Sequence, residues 1–100
     1  MKKKNLDSLR KEIDDIDREL LELIVKRFEC AVQIAKIKDA AGIALYDPDR
    51  EATILRQLSV RLGENESIFE IVSVFESLLG LSKKAQKKAL DASHKKKTEA

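Results

Sequence analysis

The 100-residue chain carries one histidine, one cysteine, one proline, three glycines and no tryptophan. A single thiol, Cys30, rules out an intrachain disulfide and suits a reducing compartment, so a soluble, cytoplasmic protein is expected. Cys30 itself reads as a small buried hydrophobe. The lone histidine, His94, sits in a Lys-rich C-terminal stretch, which argues against a His-based triad or general base. A thiol nucleophile would need a base beside it, and none is evident. No glycine-rich phosphate loop and no metal-ligand spacing of His, Cys, Asp or Glu is present, so neither a cofactor nor a metal is expected. A net charge of +2 supplies no field for nucleic acid or membranes, and four aromatic residues give little to stack bases on. The basic start, Met1 to Lys4, could open a signal peptide, but Asn5 and Asp7 follow instead of an apolar run. No apolar run approaches membrane-spanning length.

What the chain has in quantity is amphipathic helix, with 38% charged and 43% hydrophobic residues. Leu6, Leu9, Ile13, Ile16, Leu20, Leu23, Arg27, Cys30, Ile34 and Ile37 recur at three- and four-residue steps, one seam on one side of a helix. No Pro or Gly interrupts it. From Leu6 to Lys38 such a helix is a rod of roughly 50 Å. A compact domain of this size has a radius of gyration of only about 13 Å. One chain cannot cover the seam, and a self-complementary two-fold contact is the commonest way to do so. The expectation is an all-α, three-helix chain with one very long N-terminal helix, in an intertwined homodimer.

The remaining punctuation is clear. Asn5 or Asp7 can cap the first helix, and Gly42 can stop it. Asp47 followed by Pro48 reads as N-cap and first residue of a second helix. Gly63 to Asn65 is a turn, and Ser67 with Glu70 fits a capping box, with Asn65 as the alternative cap. The predicted helices cover about 6–40, 48–62 and 67–90, between a frayed basic end at 1–5 and a flexible Lys-rich tail at 91–100. Gly80 falls inside the third helix at a cost of about 1 kcal/mol relative to Ala; it either admits a close neighbour or is tolerated weakness.

Several polar residues need explaining. Arg27 interrupts the apolar seam, which is costly unless it is paired or waiting for an anion. Lys38 lies about three turns further on, roughly 16 Å along the same face, so the two cations could converge on a small anion. Alternatively Arg27 pairs with an acid on a neighbouring helix and Lys38 snorkels at the helix end. Arg10 is about 25 Å before Arg27 and can join that anion only from an antiparallel second chain; otherwise it is a surface partner for Asp14. Ser82 and Gln86 share a face of the third helix, either to bond a ligand or as part of a face solvated by Lys83, Lys84, Lys87 and Lys88. Arg50 and Glu51 occupy the first turn of the second helix, where the macrodipole favours an acid without any function. Without nucleophile or proton relay, any catalysis here works by holding and electrostatically stabilising a substrate.

The run Leu9-Arg10-Lys-Glu-Ile-Asp-Asp-Ile-Asp-Arg-Glu-Leu-Leu, then Lys26-Arg27, Ile34-Ala-Lys-Ile-Lys38, Tyr46-Asp-Pro-Asp-Arg-Glu51, Ser82 and Gln86 resembles the all-helical, AroQ-type chorismate mutase family over about residues 6–90. The resemblance implies a homodimer with two active sites that converts chorismate to prephenate on the way to Phe and Tyr. It implies that Arg27 and Arg10 of the partner subunit hold the substrate carboxylates. Lys38 would contact the ether oxygen and a carboxylate, and Gln86 the same ether oxygen. Glu51 would accept from the ring hydroxyl; the backbone of Asp47 and the hydroxyl of Ser82 would complete the pocket, with Arg50 behind it. Negative charge grows on the ether oxygen as the C–O bond stretches, so donors at 38 and 86 would favour the transition state over the ground state. The arginines would hold a near-attack geometry. With Gln rather than an acid at 86, activity should vary little between mildly acidic and neutral pH. Feedback control within this chain is not expected, although a partner enzyme of the aromatic pathway could supply it. Two rivals remain: an isochorismate-pyruvate lyase on the same fold, and a non-catalytic helical dimerisation module.

Overall fold

The computed structural model describes residues 4–99, with side chains as far as Lys96. Three helices account for nearly all of it: α1 (Leu6–Ala41), α2 (Pro48–Leu62) and α3 (Ile68–Glu99). Their ends follow local chemistry. The Asn5 side chain accepts from the Ser8 backbone N–H at 2.8 Å while the Asn5 N–H donates to Ser8 Oγ at 3.0 Å, a reciprocal cap of α1. Gly42 ends α1 at φ 69°, a left-handed conformation open to glycine, and the Ile43 N–H returns to the Lys38 carbonyl at 2.8 Å. Asp47 caps α2 by accepting from the Arg50 N–H at 3.0 Å, with Pro48 in the first position. Ahead of α3 the side chain in use is that of Asn65, whose Oδ1 accepts from the Ser67 N–H at 2.8 Å.

One expected boundary is corrected. The third helix does not give way to a flexible tail near Leu90 but continues to Glu99. Residues 91–99 contain neither Pro nor Gly, and Ala, Lys and Glu are strong helix formers. The added turns also have an attachment: His94 Nε2 lies 3.0 Å from Asp39 Oδ2 near the C-terminal end of α1. Of the expected frayed end, residues 1–3 lie outside the described residues, as does Ala100 of the tail; Asn5 is fixed as a cap.

α3 packs against both α1 and α2. On α1 the contact is made by Ala31 and Ala35, one turn apart and 7% and 0% exposed, small enough for α3 to come close. Ile54, Leu55, Leu58 and Leu62 of α2 are half-buried, as are Ile71, Val72, Phe75, Leu78 and Leu79 of α3. Among the described residues no large side chain is fully buried. The radius of gyration is 18.3 Å and the long axis 64 Å, against about 13 Å for a compact chain of this length. The seam of α1 is bare: Leu6, Leu9, Ile13, Ile16, Leu20 and Leu23 are all exposed. Cys30 is exposed too, not buried as its seam position suggested, because nothing in its own chain covers that side. No helix among the described residues is long and apolar enough to cross a membrane.

Candidate active site

Where α1, α3 and the start of α2 meet, they enclose a cavity of about 280 Å³, at the small end for ligand pockets and suited to a single-ring metabolite. Seven of the eight residues singled out in the sequence line it: Arg27, Lys38, Asp47, Arg50, Glu51, Ser82 and Gln86. The eighth, Arg10, is exposed on the bare half of α1 and is not among the lining residues. Apolar walls come from Ile34, Leu45, Ile54 and Leu79.

Each polar group has a defined setting. The Arg27 guanidinium donates to Ser82 Oγ at 2.7 Å. Its partner is thus a neutral hydroxyl rather than an acid on a neighbouring helix, and no carboxylate among the described residues pairs with it. Ser82 is only 6% exposed, so the four lysines around it do not make it a solvated residue. Its hydroxyl accepts from Arg27 and keeps its own hydrogen to donate. Gln86, half-buried one turn on, donates from Nε2 to the Ala31 carbonyl at 2.8 Å, leaving the second amide hydrogen free for the cavity. Lys38 donates to the Leu45 carbonyl at 3.2 Å and lies 4.0 Å from Asp47 Oδ2, a loose contact for a group with three donors. Glu51, in the first turn of α2, pairs with Lys83 at 3.1 Å.

Lys83 is the residue that sequence reasoning passed over. Its lysine neighbours suggest a solvated face, yet it lines the cavity, and its ammonium sits 5.2 Å from the centroid of the Tyr46 ring. The signal was available: Leu79, Ser82, Lys83 and Gln86 follow three-, one- and three-residue steps and share one helical face. Counting Lys83, the lining charges are Arg27, Lys38, Arg50 and Lys83 against Asp47 and Glu51, a surplus of two positive charges.

An all-α pocket with fixed cations and directed hydroxyl and amide donors is of the class that binds a small anion and acts on it electrostatically. Comparison with known proteins is specific. The family model for chorismate mutase type II matches residues 9–87, and the chain belongs to that family. It is 35% identical to a chorismate mutase of Methanocaldococcus jannaschii over 94 residues, spanning 91% of this chain and 93% of that one. It is 45% identical over 51 residues to a T-protein of Haemophilus influenzae, covering 51% of this chain but 14% of the T-protein. A bifunctional chorismate mutase/prephenate dehydratase of Aquifex aeolicus is 36% identical over 74 residues, which is 74% of this chain and 20% of that enzyme.

Proposed function

We propose that this chorismate mutase converts chorismate to prephenate by a one-step, non-covalent rearrangement in the α1–α2–α3 cavity, and that a second copy completes the site. Arg27 carries the reading: a half-buried guanidinium, always charged, facing a ligand-sized cavity and held by a hydroxyl instead of a carboxylate. A substrate carboxylate supplies the missing counter-charge, and a bidentate grip fixes its orientation. Lys38 and the free hydrogen of Gln86 donate to the ether oxygen, where negative charge accumulates as the C–O bond lengthens. Glu51 accepts from the ring hydroxyl, while Asp47 and Arg50 shape the wall at the α2 end. No proton is transferred and no intermediate is covalent, so groups of fixed charge suffice.

Arg10 enters from the partner subunit. On its own rod it is about 25 Å from Arg27. An antiparallel two-fold contact along the bare seam covers Leu6 to Leu23 and brings the second cation to the second carboxylate. We place the reaction in the cytoplasm, where a lone thiol stays reduced. A dehydratase or other enzyme of aromatic biosynthesis is the natural consumer of the product.

The test is product analysis after incubation with chorismate and, separately, isochorismate, with Arg27→Ala as control. Prephenate from chorismate, lost in the variant, is the expected result. Salicylate and pyruvate from isochorismate would move the assignment to the lyase. Turnover of neither, by a stable helical dimer, would leave an interaction module.

A further inference from the structure

Lys83–Glu51 is the shorter of the two ion pairs among the described residues that line the cavity, and nothing in the proposed reaction calls for Lys83. Its placement is specific. Lys83 Nζ lies 3.1 Å from Glu51 Oε1, and the same ammonium stands 5.2 Å from the Tyr46 ring centroid. It therefore joins α3 to the first turn of α2 and to the connection that precedes it. The Glu51 side chain is 23% exposed and that of Lys83 46%, so the pair sits at the mouth, with the carboxylate on the inner side.

We propose that Lys83 is a positioning residue for Glu51, and through it for the substrate's ring hydroxyl. The inference rests on Glu51 as the acceptor for that hydroxyl. Two effects follow from the geometry. First, with Oε1 engaged by Lys83, Oε2 is left to accept. Second, the substrate is a dianion, and a bare carboxylate in its pocket would repel it; Lys83 neutralises Glu51. The ammonium also stands over the Tyr46 ring face, a weak cation–π contact that narrows the rotamers of a flexible chain. Lys83 acts only by way of Glu51, which separates this role from a third cationic grip on the substrate.

Steady-state kinetics on chorismate with Lys83→Met, Lys83→Arg, Glu51→Gln and the Lys83→Met/Glu51→Gln pair tests this, with circular dichroism to confirm that each variant is folded. Lys83→Met is expected to lower kcat/KM about fivefold, the upper end for a partly exposed pair. Lys83→Arg should return most of that loss. In the Glu51→Gln background, Lys83→Met should cost less than about twofold more, because the group it acts through is already gone. Additive losses would overturn the proposal and make Lys83 a direct substrate contact. Wild-type kinetics for Lys83→Met beside an impaired Glu51→Gln would overturn the proposal alone. Wild-type kinetics for Glu51→Gln would overturn the assignment of Glu51 and this proposal with it.

Discussion

Two inactive variants should make an active enzyme when mixed. Arg10 and Arg27 are separated by about 25 Å on a straight α1, and an arginine side chain spans only about 7 Å, so both cannot reach one small ligand from the same rod. Removing either should cost one charge-assisted carboxylate contact, about 3 kcal/mol or somewhat over a hundredfold in kcat/KM. If each site takes Arg27 from one subunit and Arg10 from the other, a hybrid of Arg10→Ala and Arg27→Ala subunits has one site with both arginines and one with neither. Equal amounts, unfolded together and refolded, give hybrids as half of the dimers, so about a quarter of all sites are intact. Activity should recover to about 25% of wild type, far above either parent. The assay is chorismate consumption on the mixture, beside differently tagged subunits that measure the hybrid fraction. Hybrids formed at the expected fraction with no recovery would refute the shared site. So would an Arg10→Ala variant with wild-type kinetics.

Gln86→Glu replaces a permanent donor by one that donates only while protonated; its activity should be low at neutral pH and rise as pH falls, whereas wild type stays nearly level over the same range. A flat profile for that variant would remove residue 86 from the ether oxygen. Ser82→Ala deletes the buried acceptor that holds Arg27, at 2.7 Å, and should lower kcat/KM about tenfold and stability by about 1–2 kcal/mol, read by kinetics and a thermal melt. Gly80→Ala should raise the melting temperature, by up to about 1 kcal/mol of stability, because a Cβ there meets nothing within 4 Å. A lowered melting temperature would mean that another chain packs on Gly80.

The fold was legible where local chemistry decides it. Asn5 and Asp47 cap with their side chains, Gly42 supplies a left-handed φ, Pro48 sits where a fixed φ and a missing N–H cost nothing, and the uninterrupted seam from Leu6 gives α1 its length. At the end of α3 a Lys-rich composition reads as disorder, yet no Pro or Gly follows Gly80 and Asp39 offers His94 a partner 55 residues away. The same composition hid Lys83 and left Ser82 open to a solvated reading. Whether a residue among lysines faces solvent depends on which neighbour packs against its helical face, and here that neighbour is α1, through Ala31 and Ala35. Spacing placed Arg27 and Lys38 on one side of one helix, but it could not show that Arg27 would meet a hydroxyl rather than an acid.

The length of α1 is itself an argument about function. Its C-terminal half, from Ile24 onward, contains every α1 residue that is buried or half-buried, and it supplies Arg27, Ala31 and Lys38 to the cavity. Every described residue before Ile24 is exposed, so the first five turns of the helix do nothing for their own chain's pocket. Holding a helix of that length straight costs backbone entropy that capping and propensity alone barely offset in water. Five apolar residues on one face, from Leu6 to Leu20, would add exposed surface with no return. In the proposed dimer a second copy covers that face and turns the cost into a shared core, which the single chain lacks. The same proposal carries Arg10 to where a dianionic substrate needs a second arginine. On that proposal stability and chemistry make the same demand on α1, and a helix much longer than its own cavity requires is what meets it.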